Sequence, residues 1–111
     1  MDEFNISQAL YPEKPEELDK FEIEITDEWD NGAGFSADIT HGMVQFSAEN
    51  DGKGKRNRYF AHTEKGKELF NEFRERSQRA FPNSAEPEDL AILWLEIRSV
   101  IDSHEEVKPS K

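Results

Sequence analysis

The chain contains no cysteine, which rules out disulfides, thiolate nucleophiles and cysteine-ligated zinc. It has no run of about 18 apolar residues, the length a membrane-spanning helix needs, so no membrane contact is expected. Its first residues, MDEFNISQ, are acidic and lack an apolar stretch, so no secretory leader is expected and the chain reads as cytoplasmic. Basic charge is scarce: 14 Lys and Arg stand against 25 Asp and Glu, a net charge of -11. Such a chain repels nucleic acid and anionic membrane at long range and speeds encounter with basic partners. HExxH and GxSxG patterns are both missing, and the lone G-x-G at 52–54 is too short to define a phosphate loop.

What is present is a chain of 111 residues, enough for one domain with a modest core. With 34% hydrophobic and 35% charged residues the composition borders on that of disordered chains. Eight Phe, two Trp and two Tyr decide in favour of folding, because disordered chains are poor in aromatics. Charge is unevenly spread: residues 1–52 balance to -12, residues 53–79 to +5 and residues 80–111 to -4.

Residues 1–12 lack a sustained period, 1–15 read as an N-terminal arm, and 16–104 as a single α+β domain. Residues 105–111 read as a flexible polar tail. Phe21, Ile23 and Ile25 alternate with Glu22, Glu24 and Thr26, the period of a half-buried strand. Asp30-Asn31-Gly32-Ala33-Gly34 is a turn, followed by alternation of Phe35, Ala37 and Ile39 with polar residues. His41-Gly42 forms a second turn; Val44, Phe46 and Ala48 mark a third strand and Arg58–His62 a fourth.

The period then lengthens. Thr63 is placed to cap a helix whose apolar side holds Leu69, Phe70, Phe73, Ala80 and Phe81, with Gly66 a weak spot in its first turn. Glu72–Arg76 and Glu75–Arg79 are i,i+4 pairs, and Pro82 ends the helix. Ser84 or Glu86 caps a second helix with Pro87, Glu88 and Asp89 in its first turn. Leu90, Leu93, Trp94, Ile97, Val100 and Ile101 form that helix's main stripe, with Ile92 and Leu95 off it. A surface that wide makes Leu90–Ile101 a candidate for burial on two sides or for a homo-oligomer contact. The expected fold is a four-stranded antiparallel meander followed by two helices packed on one face.

Four constellations are candidates for function. In the first, Glu22 and Glu24 point outward from the first strand and Glu28 continues the row. Glu16, Glu17, Asp19, Asp27 and Asp30 flank it, and Trp29 supplies an aromatic anchor. Carboxylates spaced along a strand can stand in for phosphates and occupy an Arg/Lys groove; the bland alternative is a solvated, aggregation-blocking face. The second is the basic stretch Lys53, Lys55, Arg56 and Arg58 beside Tyr59 and Phe60, either an anion- or RNA-gripping loop or a neutraliser of nearby acids. The third is His41, His62 and His104, which with Arg56 or Arg58 would be needed for acid–base cleavage of RNA, without any supporting motif. The fourth, Asp27–Gly32, has Trp29 where a calcium loop needs an oxygen ligand.

The expectation is a small acidic inhibitor, not an enzyme and without cofactor or metal. It would occlude the basic surface of a nuclease or nucleic-acid-acting complex, as an anti-restriction or anti-CRISPR protein would. The alternatives are an immunity protein or antitoxin against a nuclease toxin, and a small RNA-binding or RNA-cleaving protein using the 53–58 loop.

Overall fold

A computed structural model describes residues 12–29, 33–53 and 56–107, with side chains through 101. The arm through residue 11, Asp30, Lys55, the His104 side chain and the tail from 108 lie outside the described residues. A 3-10 turn (Pro15–Leu18) leads into strands β1 (Glu22–Trp29), β2 (Gly34–His41), β3 (Val44–Asp51) and β4 (Arg58–Phe60). Helices α1 (Glu64–Ala80) and α2 (Pro87–Val107) follow, so α2 runs into the stretch read as a tail. The sheet is an antiparallel meander in the order β1-β2-β3-β4, and both helices pack on one face of it. The α+β architecture expected from the sequence is the one observed.

The alternating residues explain the layers. Phe35, Ala37, Ile39, Phe46 and Ala48 are buried between sheet and helices, joined by Leu69 and Phe73 of α1. The Phe73 ring meets Phe21 edge-on at 5.1 Å between centroids, and Phe46 lies 5.3 Å from Phe70. Edge-to-face pairing adds to area burial, so the phenylalanines do the work that a scarce aliphatic content leaves undone. The β2–β3 turn falls on Gly42-Met43, one residue later than expected: His41 pairs with Val44, and Gly42 takes a φ of +64°. Thr63 caps α1 by accepting from the Gly66 amide at 2.9 Å.

The chain ahead of β1 is stapled to α1. Pro12 is buried and the Glu13 amide donates to the Ala80 carbonyl at 2.8 Å. Glu17 pairs with Arg76 at 3.4 Å and Arg79 at 3.2 Å. Arg79 therefore reaches Glu17, whereas Arg76 keeps the expected i,i+4 contact with Glu72 at 2.9 Å. Lys20 adds a third cation to this network, 2.9 Å from Glu72.

Helix α2 departs from the expected orientation. Ala91, Ile92 and Leu95, read as off-stripe or unremarked, lie in the core, and of the main stripe Leu90 and Trp94 pack partly buried against it. Leu93, Ile97, Val100 and Ile101 of the main stripe are 44%, 42%, 57% and 50% exposed. Two polar side chains bracket the buried face. Asp89 accepts from the Tyr59 hydroxyl at 2.6 Å, and Arg98 donates to the Leu18 carbonyl at 3.2 Å and to that of Phe21. Turning the helix to bury the exposed stripe would strand both anchors, and unmade bonds to charged groups are costly.

Candidate functional site: the open sheet face

The face of the sheet turned away from the helices carries the acidic constellation. Strand register decides its membership, because paired residues share a face. Glu22 pairs with Thr40 and Glu24 with Asp38, opposite in sense to the buried Ile39 and Ala37. Between Ile25 and Asp27 the register shifts, so Thr26 is the extra residue of a β-bulge. Its hydroxyl donates to the Ser36 carbonyl at 3.1 Å.

That bulge corrects the expected row. Asp27 pairs with Ser36 on the open face, whereas Glu28 pairs with the buried Phe35 and so belongs to the helix side. The single file Glu22–Glu24–Glu28 becomes a patch spread over three strands. Its members are Glu22, Glu24 and Asp27 on β1, Asp38 on β2, and Glu49 and Asp51 on β3. Asp38 accepts from the Ser47 hydroxyl at 3.0 Å, and Asp51 from the Lys53 amide at 2.9 Å. Arg58, bonded to Glu49, is the cation that the described strands place on this face.

Two aromatic side chains border the patch. The Trp29 indole lies over Gly34 and donates to the Asp51 carbonyl at 3.3 Å, crossing three strands while staying more than a third exposed. Phe60 lies on the same face at the β4 edge, opposite Ser47.

The other predicted acids do not join this patch. Glu17 is bound by Arg76 and Arg79 with only 18% of its side chain exposed, so its role is internal. Asp19 lies 3.8 Å from Arg98, and Glu16 is exposed on the 3-10 turn. Both arginines of the basic stretch are paired within the chain, though their side chains stay mostly exposed. Arg56 lies 3.7 Å from Glu86 and 4.0 Å from Asp89, Arg58 holds Glu49, and Lys53 is exposed. Neither described histidine forms an ion pair among the described residues. His41 Nδ1 is 3.1 Å from the Lys20 carbonyl, and His62 meets the Phe60 ring edge-on. Among the described residues no cluster of three or more metal-ligating side chains occurs, and no helix is long and apolar enough to cross a membrane.

Sequence reading missed a polar network behind β4. Asn50 donates to Asn57 at 3.0 Å, Asn57 to the Tyr59 hydroxyl at 3.3 Å, and Tyr59 to Asp89. Burial, then the carboxylate of Asp89, drives the Tyr59 phenol pKa far above its ordinary value. It also missed Glu96, whose carboxyl pKa is raised first by burial and then by the charge of Glu28. Glu28 reaches that neighbourhood only because the bulge turns it toward α2. No protein family, characterised protein or solved structure matches the chain.

Proposed function

We propose that the protein is a binding inhibitor whose open sheet face occupies the polynucleotide groove of a basic protein, a nuclease or other nucleic-acid-acting complex. The observation that carries this reading is the composition of that face: six carboxylates on three adjacent strands with one described arginine among them. Neighbouring strands stand about 4.8 Å apart and same-face residues on a strand about 7 Å. A lattice of anions on that scale offers Arg and Lys side chains alternative partners to phosphates. Covered on its back by two helices, the sheet holds those charges in place before binding, which limits the ordering cost. Trp29 supplies an exposed, immobilised ring among the charges, the kind of anchor that concentrates binding energy. A cytoplasmic setting and an anti-restriction or anti-CRISPR role belong to the same proposal.

Capture on the immobilised protein at low salt, followed by elution with double-stranded DNA, tests it. A DNA-eluted nuclease or nucleic-acid-binding protein, lost when Glu22, Glu24 and Asp38 are all changed to Lys, is the expected result. Capture that survives the triple reversal sinks the reading.

A further inference from the structure

The outer side of α2 presents a second surface of different chemistry. Leu93, Ile97, Val100 and Ile101 recur at helical spacing and are all between two-fifths and three-fifths exposed. Contiguous exposed aliphatic side chains on so polar a chain mark a contact surface. Along one margin of this stripe runs a cleft of about 200 Å³ whose walls include Phe35, Ile92, Leu93, Asp89 and Glu96. Asp89 is already held by Tyr59 and Asn57. The bulge in β1 places Glu28 on the helix side of the sheet, where its charge acts on Glu96. Arg56, beside the cleft, is taken up by Glu86 and Asp89 at 3.7 and 4.0 Å, whereas neither Glu28 nor Glu96 has an ion-pair partner among the described residues.

We propose that α2 and this cleft dock an amphipathic basic segment of a protein partner, its apolar side chains on Leu93, Ile97, Val100 and Ile101 and an Arg or Lys between Glu28 and Glu96. The charge of the site selects this occupant over a second copy of the chain. A symmetric pair of α2 helices would bring a second set of the same carboxylates to the seam, and each copy carries a net -11. A basic side chain instead relieves the mutual repulsion that, after burial, raises the Glu96 carboxyl pKa. The inference stands apart from the polynucleotide-like sheet face, since β1 presents Glu28 to the opposite side from Glu22, Glu24 and Asp27.

The test is an NMR titration of the full chain with a synthetic Leu/Arg peptide whose leucines share one helical face. A scrambled peptide of the same composition and a Leu/Gln peptide of the same pattern serve as controls. The patterned Leu/Arg peptide is expected to shift the signals of Glu28, Leu93, Glu96, Ile97, Val100 and Ile101, and to bind about tenfold more tightly than either control. Changing Leu93 and Ile97 together to Ser weakens it by about tenfold, and Glu28→Gln with Glu96→Gln erases its advantage over the Leu/Gln peptide. The second pair leaves the apolar stripe intact, so it reads the charge contribution even if the serine variant folds poorly. Equal binding of patterned and scrambled Leu/Arg peptides with a footprint on Glu22, Glu24 and Asp38 overturns the proposal while leaving the sheet-face reading intact. Sedimentation showing a concentration-dependent dimer abolished by Leu93→Ser also overturns it, in favour of a second copy.

Discussion

The Tyr59 hydroxyl donates to Asp89 at 2.6 Å and accepts from Asn57 at 3.3 Å, on a ring stacked 5.2 Å from Phe70. Phenylalanine would preserve the stack and leave Asp89 short of a donor. Tyr59→Phe is therefore expected to lower unfolding free energy by about 1–3 kcal/mol in denaturant titrations. The phenol also has a pH signature. Folding raises its pKa above the ordinary 10.0, so the folded chain keeps a proton that the unfolded chain releases. Stability is undiminished below about pH 10 and falls above it; Tyr59→Phe should flatten that alkaline decline. Gly66 offers a second test at this scale. Helix propensity alone favours alanine by up to about 1 kcal/mol. A Cβ there would meet the Gln45 carbonyl at 2.5 Å, with Thr63 and Ala61 close behind. Gly66→Ala is expected to destabilise by about 1–3 kcal/mol, because the helix would have to lift off β3; a rise in melting temperature would contradict this packing.

At the scale of elements, two glutamates on the helices are held in opposite senses. Lys20's hydrogen bond, outweighing burial, lowers the Glu72 carboxyl pKa below its ordinary 4.5. Its contribution is present above that value and is lost as pH falls through the lowered folded value. Glu96 is raised, so its penalty is absent at low pH and grows as pH climbs from 4.5 through the folded value. At neutral pH, Glu72→Gln is expected to destabilise and Glu96→Gln to stabilise, each by less than about 1 kcal/mol because both side chains are partly solvated. Both differences should vanish in acid, as paired denaturation curves would show. If Glu96 serves the docking cleft, its neutralisation strengthens the fold while weakening the peptide complex, a separation that no purely structural role would produce. The same elements show what sequence can reveal. Period-two alternation located the strands, and Thr63 and Pro82 bounded α1, because those signals are local. The bulge at Thr26 was invisible, since a register shift depends on the facing strand, and it moved Glu28 to the other side of the sheet. The rotation of α2 was equally hidden. Counting apolar residues favoured the Leu93–Ile97–Val100 side, whereas Asp89 and Arg98, answering groups far off in sequence, hold Ala91, Ile92 and Leu95 inward.

Across the whole molecule, charge should act on folding and on association with opposite signs. The open sheet face gathers Glu22, Glu24, Asp27, Asp38, Glu49 and Asp51, and the chain carries a net -11. Self-repulsion of that size weakens the compact state, and added salt screens it: the Debye length shrinks from about 30 Å at 0.01 M to about 8 Å at 0.15 M. Melting temperature should therefore rise with sodium chloride over that range. Changing Glu22 and Glu24 to Gln and Asp38 to Asn should reproduce part of the rise at low salt. A complex made by the same carboxylates with Arg and Lys follows the reverse course, because the salt that relieves repulsion within the chain also screens attraction across the interface. Calorimetric titration of a DNA-eluted partner over the same salt series should show affinity falling as the free protein grows more stable. The neutralised variant should show a shallower slope in both measurements. A melting temperature that falls with salt would mean that the Glu17–Arg76–Glu72–Lys20 network and its like outweigh the repulsion of the open face. That outcome would remove the premise that the face is held in a state wanting cations.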